Sequence, residues 1–288
     1  MDFEDWAGRE LTLLSGGLAH RPVNAHQSIF KYIGLNSETS WTFFGDMLNK
    51  LELVGSSAQA LNDPFELSPH VFDDLRPKVI HSALGIIPLS PLDYRLRGQP
   101  IPSVDETYSD LEPYREEAKE FLNLRVQNSR IICFCERSDS PLLWSHYANS
   151  YRGACLHFLG RGFKGYTPFY VSYSAHRPTL PLSLALRVSH SSKKASLRSV
   201  YEFELEKMQF FCKASDWEYE CEMRIIYDMS KRPAVNFLEE GLVSIILGPR
   251  MSSVDEERLR DLVSQSRLAH LPIRRARLST NSFSVEID

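Results

Sequence analysis

The spacing of apolar and polar positions lays out most of the elements of this chain before any chemistry is considered. "SIFKYIGL", residues 28–35, has the β-branched and aromatic content of a strand. "NSETSWTFFGDMLNKL" then opens with Asn36 and Ser37 as cap candidates and places Trp41, Phe44, Met47 and Leu48 at helical spacing. "LELVGSS" returns as a short strand, and "ALNDPFEL" follows as a turn, because Asn, Asp and Pro each favour reversal of the chain. Prolines in loop-like surroundings occupy residues 70–100, and "VDETYSDLEPYREEAKEFLNLRVQ" reads as one acidic helix, interrupted or started at Pro113. "SRIICFCE" is a continuous apolar run suited to a buried strand, "SPLLWSHYANSYRG" a short helix ended by Gly153, and "ACLHFLG" and "FYVSYS" further strands. The basic, serine-rich "HSSKKASLR" leads into an apolar stretch that fits either helix or strand. The tail gives a buried strand, "LVSIILGPRM", a helix with Ser253 as cap and Glu256 at the capping-box position, and two closing strands in "IRRARLSTNSFSVEI".

This order predicts an α+β fold, with a split mixed or antiparallel sheet, flanking helices and a helical insertion at about 70–128. A single domain is expected over 25–288, preceded by an accessory segment, 1–24, because 288 residues are many for one domain and few for two. The 43% hydrophobic and 24% charged content is that of an ordinary globular protein, and a net charge of −4 argues against a surface dedicated to coating nucleic acid. The acidic N-terminus has no signal-peptide pattern, and no run approaches the roughly 18 apolar residues of a membrane span. Five cysteines without a regular framework fit reduced thiols. A cytoplasmic location without membrane association is the expectation.

Candidate chemistry concentrates in "DWEYECEMRII", residues 216–226. With a period of two, Tyr219, Cys221, Met223, Ile225 and Tyr227 share one strand face, and Glu218, Glu220, Glu222 and Arg224 share the other. Three glutamates in a row are unusual on a strand. Such a face is either solvated and laced with cross-strand ion pairs or lines a site.

The blocks "FKYIGL", "LELVGSSAQALNDPFE", "ICFCERSDSPLLWSHYANSYRGACLHF", "FCKASDWEYECEMRII" and "IILGPRM" resemble, in order and over residues 26–288, a bacterial family catalogued as domain of unknown function 2971. More distantly, the order of parts resembles the ADP-ribosyltransferase fold. That resemblance implies that Lys31 and Tyr32 lie on a first cofactor-binding strand, Ser56 and Ser57 on a second, and the catalytic Glu222 with Glu220 on a late strand. Lys31 departs from the Arg or His usual at its position. NAD is the implied substrate, with Arg224 and Lys31 holding its phosphates and Tyr32 or Trp144 stacked on nicotinamide. His146 is either a general base for an acceptor or a hydrogen-bonded core residue. The acceptor is open among protein, nucleic acid, small molecule and water, and the expected setting is a bacterial toxin or phage-defence system.

Other patterns compete with this one. Cys133-x-Cys135 and Cys155-x-His157 offer soft ligands, but their one-residue spacing within apolar strands reads as buried core, and no metal is expected. Asp63, Glu66, Glu220 and Glu222 would serve a metal-dependent nuclease, with "HSSKKASLR" or "PIRRAR" on phosphate. A noncatalytic binding module is the other alternative. Serine-hydrolase elbows and P-loops are absent from the sequence.

Overall fold

The computed structural model describes residues 21–84, 103–190 and 195–288. Strand β1 (Ser28–Ile33) is followed by α1 (Glu38–Lys50), β2 (Glu52–Leu53), β3 (His70–Phe72), α2 (Pro77–Leu84), α3 (Val104–Thr107) and α4 (Glu112–Asn128). Next come β4 (Ser129–Cys135), α5 (Pro141–Tyr147), β5 (Ala154–Leu159), β6 (Phe169–Tyr170), β7 (Ser172–Ser174) and β8 (Thr179–Pro181). The chain continues through α6 (Leu182–His190), α7 (Ala195–Phe210), β9 (Cys212–Ala214), β10 (Glu222–Asp228), β11 (Val235–Asn236) and β12 (Leu242–Leu247). Helix α8 (Ser253–Ser264) and strands β13 (Ile273–Leu278) and β14 (Val285–Ile287) complete it.

These elements divide into two compact units. Of the described residues, one unit holds those between Asn62 and Asn128 and between Ser172 and Ala214; the other holds those up to Leu61, Ser129–Val171 and Ser215–Asp288. The stretch 70–128, expected as an insertion, lies in the first. That unit carries two parallel strand pairs, β3 with β8 and β7 with β9. Its core is the cluster of Leu75, Ile80, Leu122, Leu180, Leu205 and Met208.

The second unit is built on an eight-stranded sheet in the order β14-β13-β12-β5-β1-β4-β10-β6. Only β12 and β13 run parallel. The architecture is therefore α+β with a large mixed sheet, as the order of patterns predicts. Strand alternation sorts the side chains to the two faces. Ile29, Ile132, Phe134, Leu156, Phe158, Met223, Ile225 and Tyr227 join the main core. Tyr32, Cys135, Trp144 and Cys155 form a second apolar cluster with α5.

Helix α1 follows the expectation closely. Ser37 caps it: its Oγ accepts the Ser40 N–H at 3.2 Å and the Ser40 hydroxyl accepts the Ser37 N–H at 3.0 Å, satisfying two N–H groups left over at a helix start. Its buried residues are Trp41, Phe44, Met47 and Leu48.

Four local expectations are corrected. The acidic stretch forms two helices rather than one, because Ser103 and Glu106 cap the first while Asp110 accepts the Glu112 N–H to start the second; Pro113 then sits in the first turn, where its missing N–H is harmless. The helix of "SPLLWSHYANSYRG" ends at Tyr147, well before Gly153. The cap of α8 is Ser252, whose Oγ accepts the Asp255 N–H at 3.1 Å, not Ser253. Most consequentially, Ser215–Glu220 form a 3-10 helix and β10 begins only at Glu222. Glu is poorly suited to strands, the Cys221 N–H closes onto the Glu218 carbonyl at 3.1 Å, and Cys221 adopts a left-handed φ of 45° that ends the turn. The face of three aligned glutamates does not exist.

Most of the segment expected as an accessory, 1–24, lies outside the described residues; Arg21 and Val23 bond to Tyr170 and Pro168. Ser191–Lys194 of the basic stretch also lie outside them. Among the described residues no helix is long and apolar enough to cross a membrane.

Candidate functional site

The candidate site forms where β4 changes partners. Strands β1 and β4 share one registered pair, Phe30 with Cys135. Two residues along β4, the Lys31 amine donates to the Cys133 carbonyl at 3.4 Å. Two residues further, Ser56 and Ile131 exchange both backbone hydrogen bonds, at 2.8 and 2.9 Å. One edge of β4 is thus served in turn by a strand, a side-chain amine and a loop, while the other edge pairs with β10 along its whole length.

That pairing sets Glu222 opposite Cys135 and Arg224 opposite Cys133 on one face of the sheet. Glu222 is 4% exposed and Arg224 fully buried. Their two-residue spacing lets the guanidinium fold back along the strand: Arg224 Nε meets Glu222 Oε1 at 2.6 Å and Nη2 meets Oε2 at 2.8 Å. Lys31 and Cys133 lie within electrostatic reach of Glu222. As whole residues both keep partial exposure, but the amine and thiol themselves sit in interior surroundings, which govern their titration. Burial lowers the Lys31 amine below its ordinary 10.5, and the neighbouring Cys133 and Glu222 oppose that shift. Burial pushes the Cys133 thiol well up, with the Glu222 carboxylate adding to the effect. Cys135 is pushed up to about 12, chiefly by burial.

Glu220 closes the 3-10 turn that feeds β10, and it is 4% exposed. The Tyr147 hydroxyl donates to its Oε1 at 2.5 Å. On sequence, Tyr147 is an aromatic of an apolar helix, either a core residue or a ligand contact, and its pairing with Glu220 spans 73 residues. The available signal was an aromatic with a hydroxyl on an apolar helix, followed by Asn149, a residue tolerant of left-handed backbone.

Other sequence candidates are placed differently. Trp144 is fully buried, donates its indole N–H to the Ser138 carbonyl at 2.8 Å, and packs edge-on to Tyr32 at 5.0 Å. The Tyr32 hydroxyl donates to the Arg137 carbonyl at 2.9 Å, and burial raises its pKa far above the ordinary value. Both contacts are those of packed core aromatics. His146 is exposed, its ring edge-on to Tyr147. Ser56 is exposed at Ile131, four residues along β4 from the row of Glu222, or roughly 13 Å. Ser57 precedes a short 3-10 turn without capping it. Glu222 and Arg224 are therefore paired with Lys31 in electrostatic reach of Glu222, Glu220 lies two residues before Glu222 and meets Tyr147, and the serines stand further along the strand.

In the first unit, Asp63 accepts the Phe65 N–H at 2.8 Å and Glu66 pairs with Lys213 at 2.7 Å, both partners being buried. All five cysteines are free thiols, and Cys135 and Cys155 are buried. Among the described residues no group of three or more His, Cys, Asp or Glu side chains is placed to hold a metal ion.

The chain was compared with family models, curated proteins and solved structures, and none of the three comparisons returned a match.

Proposed function

We propose that the chain is an ADP-ribosyltransferase-like enzyme that consumes NAD, with Glu222 and Glu220 as its carboxylates. The observation that supports the reading is their placement: a buried carboxylate at the first residue of β10, a second buried carboxylate at the end of the preceding turn, Arg224 paired with the first, and the Lys31 amine within electrostatic reach of it. In the reaction the bond between ribose and nicotinamide breaks and its electron pair leaves on the nicotinamide nitrogen. The ribose carbon becomes oxocarbenium-like. Glu222 stabilises that charge, which exists mainly in the transition state. The acceptor then bonds to the ribose carbon and gives its proton to Glu220. Arg224 orients Glu222 and balances its charge, and Lys31 supplies charge for a phosphate. A bacterial toxin or phage-defence role belongs to the same reading.

A second reading is favoured by one observation. Both oxygens of Glu222 are held by Arg224 in a buried fork, an arrangement equally suited to fixing a fold. On that basis the chain binds a nucleotide without turning it over.

The test is release of nicotinamide from NAD by wild type and Glu222→Gln, with NAD binding read by calorimetry and folding by circular dichroism. The transferase reading expects wild-type turnover and, per folded molecule, about 10²- to 10³-fold slower release by the variant at little changed affinity. Binding without release assigns the noncatalytic reading. Absence of binding defeats both.

A further inference from the structure

The Tyr147–Glu220 contact is held at both ends by backbone in an uncommon conformation. On the Glu220 side, the next residue, Cys221, has a φ of 45°. On the other side Tyr147 closes α5, and Asn149, Ser150 and Tyr151 follow with φ of 47°, 51° and 71°. None of these is glycine. Three successive left-handed residues persist only where the surroundings over-determine them, and such segments cluster at functional sites.

The surroundings here do so. The Ser150 and Tyr151 N–H groups reach back to the Ser145 and Trp144 carbonyls at 3.2 and 3.0 Å, and Gly153 N–H bonds to Ala148 O at 2.8 Å. The turn is then clamped to its neighbours. A Cβ on Gly153 would stand 2.1 Å from the Ile33 carbonyl oxygen, and one on Gly248 would stand 2.2 Å from that of Tyr151. Arg250 N–H also bonds to Tyr151 O at 3.0 Å, and the Arg250 guanidinium lies over the Tyr151 ring. The end of α5 is thereby fixed against β1 and the segment after β12, and the phenol it carries is fixed with it.

We propose that Tyr147 is a positioning residue for Glu220, and that the left-handed turn exists to aim it. The inference rests on the transferase reading, in which Glu220 receives the acceptor's proton. A hydroxyl donated at 2.5 Å to Oε1 fixes the rotation of that carboxylate and favours its ionised form, the form that accepts a proton. Tyr147 itself touches no reacting atom.

Tyr147→Phe keeps the ring and removes only the donor. The variant should melt close to wild type and transfer ADP-ribose to the acceptor, read as free ADP-ribose when water is the acceptor, about tenfold more slowly, and the acidic limb of that rate profile should move to higher pH, because the carboxylate loses a hydrogen bond to its charged form. Adding Tyr147→Phe to Glu220→Gln should bring no further loss, since the two groups act as a unit. A spectroscopic check is independent of turnover: a downfield hydroxyl proton resonance in wild type, absent from both single variants. Wild-type rate and pH profile in Tyr147→Phe, with an active parent, overturn the positioning role and leave the transferase reading standing; absence of the resonance from active wild type does the same. A wild type that releases no nicotinamide defeats the transferase reading itself, and this role falls with it.

Discussion

At the scale of single residues, the dominant fact is that the most chemically suggestive face of β10 is also its most deeply buried polar surface. An ionised carboxylate with almost no exposure is tolerable only with a well-placed counter-charge, and Arg224 supplies two hydrogen bonds to it. Breaking the pair on one side is therefore worse than removing it altogether. Arg224→Met is expected to destabilise the fold by about 3 to 5 kcal/mol in urea unfolding, and the double variant with Glu222→Met to recover most of that loss. Equal destabilisation by single and double variants would show that packing, not charge, is at stake. Lys31 gives a prediction of a different kind. Its amine titrates below 10.5 in the fold, mainly through burial. Between the lowered value and 10.5 the unfolded chain binds more protons than the folded one, so stability rises with pH there. The penalty is complete below the folded value and gone above 10.5. Lys31→Met should accordingly be more stable than wild type at neutral pH, with the advantage shrinking as unfolding is repeated toward pH 10. An advantage that grew with pH would contradict the assignment.

At the scale of elements, the segment between α5 and β5 shows backbone geometry prevailing over residue preference. Each non-glycine residue in the left-handed region costs roughly 1 to 2 kcal/mol, and Asn149, Ser150 and Tyr151 stand there in succession. Ser150 is exposed, so Ser150→Gly removes the conformational penalty without removing a packed side chain. A gain of about 0.5 to 1 kcal/mol is expected from thermal unfolding, the larger backbone entropy of glycine offsetting part of the relief. A loss of stability would mean that the Ser150 side chain contributes more than its conformation costs. The same segment shows why the end of α5 was misplaced in the sequence. Gly153 reads as a helix stop, but its lack of a side chain answers a close approach of the Ile33 carbonyl, not a cap. The contrast with α1 is instructive. There the cap, the apolar stripe and the left-handed Leu51 that ends the helix all lie within one contiguous stretch, so local pattern suffices.

At the scale of the whole molecule, what was legible depended on the range over which each determinant acts. Local pattern was enough for the α+β class, α1 with its cap and buried face, the apolar strands β4, β5 and β12, and the pair β13 and β14. Each of these follows from side-chain periodicity and turn chemistry within about a dozen residues, where the physics is local. The sequence also singled out Glu222 and Arg224, through the alternation of residues 216–226, and Lys31, through the resemblance to the ADP-ribosyltransferase fold. Tertiary structure decided the rest. Period two alone runs smoothly through residues 216–226, and only the turn closed by Cys221 shows that Glu218 and Glu220 leave the strand. The neighbours of β4 along one edge, Phe30, Lys31 and Ser56, come from about 75 to 105 residues away. Tyr147 meets Glu220 across 73 residues. The chain passes between the two units at residues 61/62, 128/129, 171/172 and 214/215, so each core is assembled from segments that are not neighbours in sequence. Such pairings are selected by the burial and register of the complete sheet, which no local window contains.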